Sequence, residues 1–419
     1  MADTPSPAPR PVPGRNRTGP PERVWPEDEP GLPPLEGVVA ALEGFVDVGD
    51  RSPLEIELLV SDFLAQLGAG QAPPAPGEPD HVELLNGIVE LCLLHLDRSP
   101  PRVVLDFLWV LDAFDPGWVH WPLHERLAAS ALPARPAWAM DVGQAEVRTA
   151  HVVRHETGDG FDVAFVARHR SAERDHVVAV YVDRTFGGLA TDVLVHDDAE
   201  EYLGLSRAEP GMAVHDVDPA TAVATADPAV AATFAAGVPP AVSEGFASRW
   251  AVLEQHLARC PSGGDPLPAP AAAPPEDQAA LVDRFLAGPD GAAARADRDV
   301  LLEAVGFVTD ELGGDPLRWS PAVTQLVLGG WMPFAVEDPD VAGRFGQVLR
   351  AFVPWAQREQ GWGDRYVAAT LEAIDAVEGT GTSSGGRVEI LEQALAEGVD
   401  LDDEEALDAF LDRYLGEGG

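Results

Sequence analysis

The sequence predicts an α+β protein: mostly helical, with a small four-stranded antiparallel β-meander at about 146–196 packed by helices, and a C-terminal helical domain. Three observations predict it. Apolar residues recur at helical spacing through most of the chain from Leu35 onward. Between Glu146 and His196 the pattern changes to apolar–polar alternation, the period of a strand. Stretches rich in Pro, Ala and Gly interrupt the helical segments where linkers are expected.

Residues 1–34 are Pro-rich with scattered arginines, and they hold too few apolar side chains to offset the entropy of ordering. They are predicted to be a disordered tail. A helical domain spanning 35–260 follows and contains the meander. In PLEIELLVSDFLAQL the residues Leu54, Leu58, Leu59, Phe63 and Leu67 form an apolar stripe. Asp80 is placed to cap the helix HVELLNGIVELCLLHL, and Pro100–Pro101 separates that helix from VVLDFLWVLDAF. The segment DDAEEYLGL reads as a short helix with acids in its first turn, and 217–260 as Ala-rich helix broken at Pro239–Pro240. PSGGDPLPAPAAAPPE (261–276) is the expected domain linker, and 277–419 the C-terminal helical domain. Its helices are expected at 277–287, 296–312, 320–331, 339–359 and 363–378, with two acidic helices after TGTSSGG. Trp319, Trp331, Trp355 and Trp362 in this block are expected to pack between helices.

Alternation places the four strands at 146–155, 161–169, 176–184 and 189–196. Gly158–Asp159–Gly160 and Gly187–Gly188 supply turns that need positive φ. The third strand, HVVAVYVD, is apolar on both faces and is expected inside the sheet, covered on both sides. If Gly187–Gly188 were a two-residue turn, Asp183 would face Asp192, with Tyr181, Leu194 and His196 on the same face. Two carboxylates directly opposed across a ladder repel. Three compensations compete: a raised carboxyl pKa suited to acid–base chemistry, a bridging divalent cation with His196 or Asp197 nearby, or no such pairing at all, because an arginine such as Arg184 neutralises it or the turn is longer. Asp183, Asp192 and His196 are accordingly the candidate catalytic and metal-ligating residues.

The histidines carry less. His120 and His124 flank Pro122, which disturbs a helix, and His151 and His155 lie four residues apart on a strand, about 13 Å. Cys92 and Cys260 make neither a disulfide framework nor a zinc site. No dinucleotide-binding glycine motif and no nucleophile elbow occurs.

Composition excludes more. Net charge is −42, from 70 acidic and 28 basic residues, and every basic residue is arginine. A chain without lysine has no Schiff-base or P-loop lysine, and a field of this sign repels nucleic acid. No apolar run is long enough to span a membrane and the start of the chain lacks an apolar signal core, so the expected compartment is cytoplasmic.

Two stretches, VVAVYVDRTFGGLATDVLV and DPLRWSPAVTQLVLGGWMPFAV followed by VLRAFVPWAQREQG, resemble segments of uncharacterised conserved proteins of high-GC actinobacteria. The resemblance brings no activity, cofactor or partner with it. It implies that Asp183, the Gly187–Gly188 pair and Asp192 belong to one family pattern.

The function expected from the sequence is that of a non-enzymatic interaction or regulatory protein whose partner is another protein, not nucleic acid or membrane, and with no cofactor. The alternatives are a metal-assisted hydrolase or small-ligand-binding domain centred on the Gly187–Gly188 hairpin, using a divalent metal, and an acidic mimic of nucleic acid.

Overall fold

A computed structural model of the chain describes residues 35–71, 74, 78–96, 100–114, 123–129, 135–238, 242–268, 275–312, 315–336 and 339–379. The expected disordered tail and the two final acidic helices lie outside the described residues, as does His120. Contacts divide the chain into two units, Met1–Val60 with Pro74–Gly143 and Ser61–Pro73 with Gln144–Gly419.

The first unit is helical. Its helices are α1 (Glu36–Ala41), most of α2 (Pro53–Gln66), α3 (His81–Leu94), α4 (Arg102–Phe114) and α5 (Leu123–Ala129). The Asp80 carboxylate accepts the Glu83 amide at 2.8 Å and caps α3, as the sequence predicted. Phe45 meets Phe107 edge to face at 5.1 Å between centroids, inside a core with Ile56, Val104 and Phe114.

The second unit is built on the sheet. Its strands are β1 (Glu146–His155), β2 (Gly160–Arg168), β3 (His176–Asp183), β4 (Leu189–His196) and β5 (Met212–Val217). They are ordered β4-β3-β2-β1-β5, with all four neighbouring pairs antiparallel. The meander is therefore present at the predicted places, but the sheet has five strands, not four. The segment MAVHDV escapes a sequence reading because it is a short, largely solvent-facing edge strand. It pairs only with β1, and its register depends on residues 57 to 67 positions away, from His155↔Met212 to Ala150↔Val217. β3 is interior, as expected, and mostly buried.

Helix α6 (Ala199–Ala208) packs Ala199, Tyr202 and Leu203 on one face of the sheet, against Val153, Ala164, Val166, Val177 and Ala179. Helices α7 (Pro219–Ala235) and α8 (Glu244–Arg259) cover the opposite face. Asp162, on a strand that reads as amphipathic, consequently lies beneath α6 rather than in water.

The turn after β3 is longer than a two-residue hairpin. Arg184–Phe186 form a 3₁₀ turn, Gly187 follows at φ 69°, and the ladder closes with Asp183 opposite Leu189. A bulge at Thr191 then places Asp192 opposite Tyr181. The predicted Asp183–Asp192 pairing does not occur. The physical reason is local: the Asp183 carboxylate caps the 3₁₀ turn, accepting the Thr185 amide at 2.8 Å and its hydroxyl at 2.6 Å.

Six further helices belong to the same unit: α9 (Pro275–Ala287), α10 (Arg298–Gly306), α11 (Pro321–Gln325), α12 (Met332–Ala335), α13 (Pro339–Gln360) and α14 (Asp364–Gly379). α10 continues into a π-helical turn at Phe307–Glu311, and another at Leu326–Trp331 joins α11 to α12. The Ser320 hydroxyl accepts the Val323 amide at 3.1 Å, the cap expected before Pro321. Three of the four tryptophans pack on phenylalanines. Trp319 is fully buried with its edge on Phe352, Trp355 meets Phe285 and Phe352, and Trp331 meets Phe307 and Phe345. Residues on both sides of the 261–276 stretch fall in the same contact-defined unit, and side chains from 318–366 reach the end of the sheet.

A polar pocket at the end of the sheet

The β1–β2 turn and the end of β3 meet at one edge of the α6-covered face. There Val153, His155, Thr157, Asp159, Gly160, Phe161, Asp162, Tyr181 and Met212 line a cavity of ≈190 Å³. Gly160 pairs with Asp183 across the ladder, so the pocket adjoins the start of the Gly187–Gly188 turn.

Its polar groups are held from several elements. The Tyr202 hydroxyl on α6 donates to Asp162 Oδ2 at 3.0 Å. Burial, opposed by this bond and assisted by the Asp192 charge, pushes the Asp162 carboxyl up to about 6. Burial likewise raises Asp159, against the pull of Ser320, Arg318 and Thr157, while the Asp183 charge adds to the rise. Asp159 Oδ1 is buried and receives no hydrogen bond. A carboxylate oxygen in that position is expensive unless it is protonated or a donor reaches it.

His155 stands at the mouth. The Thr157 backbone N–H donates to His155 Nδ1 at 3.3 Å, which makes Nδ1 an acceptor and puts the proton of the neutral ring on Nε2. Nε2 then donates to the Tyr366 hydroxyl at 3.3 Å, and that hydroxyl donates to Glu156, which also takes Arg365. This relay joins α14 to the rim of the pocket. Burial and the charges of Asp183, Asp159 and Asp162 raise the Tyr181 phenol, so it stays protonated as a donor.

The candidate residues read from the sequence are not brought together. Asp183 caps the 3₁₀ turn. Asp192 Oδ1 accepts the Ser243 hydroxyl and the Val193 amide, so it is tied to the start of α8, where Ser243 caps the helix by accepting the Phe246 amide. His196 is at the far end of β4, four residues or about 13 Å beyond Asp192. Its Nδ1 accepts the Asp198 amide at 3.1 Å and its ring leans on Tyr202. Among the described residues no group of three or more His, Cys, Asp or Glu side chains is arranged to hold a metal ion. Asp159, Asp162 and Tyr181 are the residues a sequence reading misses. Asp162 looks like a solvent-face acid, and α6 makes it a half-buried one.

Other ionisable groups are accounted for by packing. His176 Nε2 lies 3.0 Å from His256 Nε2, and His169 stacks on His176 at 5.0 Å. His256 Nδ1 donates to the Val252 carbonyl at 2.8 Å, so its Nε2 accepts the proton carried by His176 Nε2. Burial, with His256 and His169 adding to it, drives His176 down to about 2. Cys92 on α3 and Cys260 beyond α8 are both pushed up to about 12 by burial, which makes them inert as thiolates. A larger groove of ≈580 Å³ runs between the end of α2 and the start of α8. It is open and mostly apolar, and its Asp62 is already paired with Arg249. Among the described residues no helix is long and apolar enough to cross a membrane.

No protein-family model, curated protein or solved structure matches the chain.

Proposed function

We propose that the chain is a non-enzymatic small-ligand-binding protein and that its site is the sheet-end pocket. The reading moves the ligand site expected at the Gly187–Gly188 hairpin one strand across, from Asp183 and Asp192 to Asp159, Asp162, His155 and Tyr181. One observation carries it: Asp159 Oδ1 is buried beside the cavity without a hydrogen-bond donor, and Asp162, its carboxyl pushed up to about 6, opens onto the same space. Natural folds leave few such groups unsatisfied, and a ligand donor is a direct way to satisfy them. The cavity is well below the about 300–1,000 Å³ of drug-sized sites, so the ligand is compact. Two acids favour a molecule that presents hydrogen-bond donors, a small amine or polyol.

The test is a thermal-shift titration of the whole chain with small primary amines and with polyols at pH 7.5. One class is expected to raise the melting temperature by several degrees in the wild type and to lose most of that effect in D159N. If neither class moves the wild type, or if D159N responds equally, the pocket is not the site.

A protein partner, the other expectation from the sequence, finds among the described residues separate exposed apolar side chains, Val46, Leu84, Leu94 and Met140 in the first unit and Phe186, Leu194 and Leu205 in the second. Scattered apolar residues of this kind are ordinary on protein surfaces.

A further inference from the structure

In a chain with 70 acids for 28 arginines, an arginine without a carboxylate partner is unusual. Most described arginines follow that expectation: Arg168 and Arg148 share Asp175, Arg174 takes Asp198, Arg298 takes Asp283, and Arg344 takes Asp297. Three that do not lie around the same turn, at residues 158–161.

Arg154 is the cross-strand partner of Phe161, and its guanidinium carbon stands 5.2 Å from the centre of that ring. Arg184 approaches the same ring at 5.0 Å, and its backbone amide is bound to the Asp159 carbonyl at 2.7 Å. Arg318, only 6% exposed, reaches in from the loop before α11 and donates to the Gly158 carbonyl at 3.3 Å. Among the described residues none of the three forms an ion pair. Arg154 Nε and Arg318 Nε are buried with no hydrogen-bond partner. The Arg184 charge is disfavoured first by burial and then by Arg154 and Arg318, with no carboxylate offsetting them. Asp159, Asp183 and Asp315 act on Arg318 from outside ion-pair distance; Asp183 is already committed to Thr185, and Asp315 to the Leu317 amide.

Converging, half-desolvated guanidiniums that repel one another are stable when an anion sits among them. The planar fork of arginine fits a phosphate or a carboxylate through paired hydrogen bonds. We infer that Arg154 and Arg184, backed by Arg318, form an oxyanion-binding site beside Phe161. The ligand class is a small phosphate or carboxylate. A long polyanion is opposed by the net charge of −42, whose repulsion acts over a much larger surface than three arginines. The site adjoins the pocket, sharing Phe161 with its lining, but it is read from cations instead of acids and binds a ligand of the opposite charge.

The experiment is calorimetric titration of the whole chain with inorganic phosphate and, separately, with acetate, at ionic strength matched by sodium chloride. Saturable binding of either anion is expected in the wild type, weakened at least tenfold in R154Q/R184Q and unchanged in the control R207Q. A phosphate response assigns the site to a phosphorylated ligand, and an acetate response alone assigns it to a carboxylate. Equal behaviour of phosphate, acetate and chloride overturns the proposal, as does equal binding by the double variant. Should the double variant fail to fold, the wild type is treated with phenylglyoxal and its peptides are weighed. The bound anion must then slow modification of Arg154 and Arg184 relative to Arg207, and uniform modification overturns the site.

Discussion

The Tyr181 phenol lies over Gly160, in the space where any other residue at that position would carry its Cβ. A Cβ there would overlap the Tyr181 hydroxyl and ring carbon Cζ and stand 2.7 Å from the Val182 carbonyl. The absent side chain is thus what allows the phenol to close one wall of the pocket, a cross-strand arrangement of an aromatic ring over a glycine.

Replacing Gly160 by alanine forces the ring off the ladder, and backbone at Val182 cannot yield as a side chain can. G160A is expected to destabilise the protein by about 1–3 kcal/mol, the range of core overpacking. Urea unfolding measures this. Y181A/G160A should recover only part of the loss relative to Y181A, because the ring's share of the clash goes and the contact with the Val182 carbonyl stays.

Asp162 has its folded pKa raised to about 6, from an ordinary value near 3.8. Between those values the native state binds the extra proton, so stability falls as pH rises from about 4 to about 6 and the penalty is complete above that. D162N keeps an acceptor for Tyr202 and removes the charge. It is expected to be more stable than the wild type at pH 7.5 by on the order of 2–3 kcal/mol. The difference should shrink toward zero as pH is lowered to 4. A constant difference across that window contradicts the burial argument.

His176 has the opposite sign. Its folded pKa, near 2, is far below the ordinary imidazole value of 6.5, so its contribution is complete above about pH 6.5 and is lost as pH falls from there toward 2. Each pH unit in that window removes up to about 1.4 kcal/mol. H176Q is expected to be less stable at pH 7.5, since His256 Nε2, an acceptor, loses the well-placed donor of His176, but to lose stability less steeply on acidification. Urea midpoints at pH 7.5, 6.0 and 5.0 give both slopes, and equal slopes would remove the histidine from the account.

Ser243 serves two structures at once, the first turn of α8 and the Asp192 carboxylate. S243A is expected to cost about 1–2 kcal/mol, the upper range for an N-cap. D192N, which retains an oxygen for the hydroxyl, should cost much less. The two melting temperatures compared under one buffer decide it, and D192N proving as damaging as S243A points to a role for the charge itself.

Strand positions were legible because period-2 alternation is written locally: 146–155 and 189–196 match the observed β1 and β4, and β2 and β3 fall within one residue of expectation. The caps at Asp80 and Ser320 were legible for the same reason, since a capping side chain bonds an amide three residues away. The register beyond the Gly187–Gly188 turn was not. It depends on a 3₁₀ turn, which moves the partner of Asp183 from Asp192 to Leu189, and on a bulge at Thr191, worth one residue more; together they decide that Asp192 faces Tyr181.

By itself, then, the sequence determined the class of fold, the order of helices and four of the five strands, because these follow from residue periodicity and local hydrogen bonding. Tertiary structure alone decided the chemistry. It half-buried Asp162 beneath α6, left Asp159 Oδ1 without a donor, and drew Arg154, Arg184 and Arg318 to one turn from positions far apart in the chain. Desolvation and charge proximity are properties of distance in space, and no local pattern of residues records them.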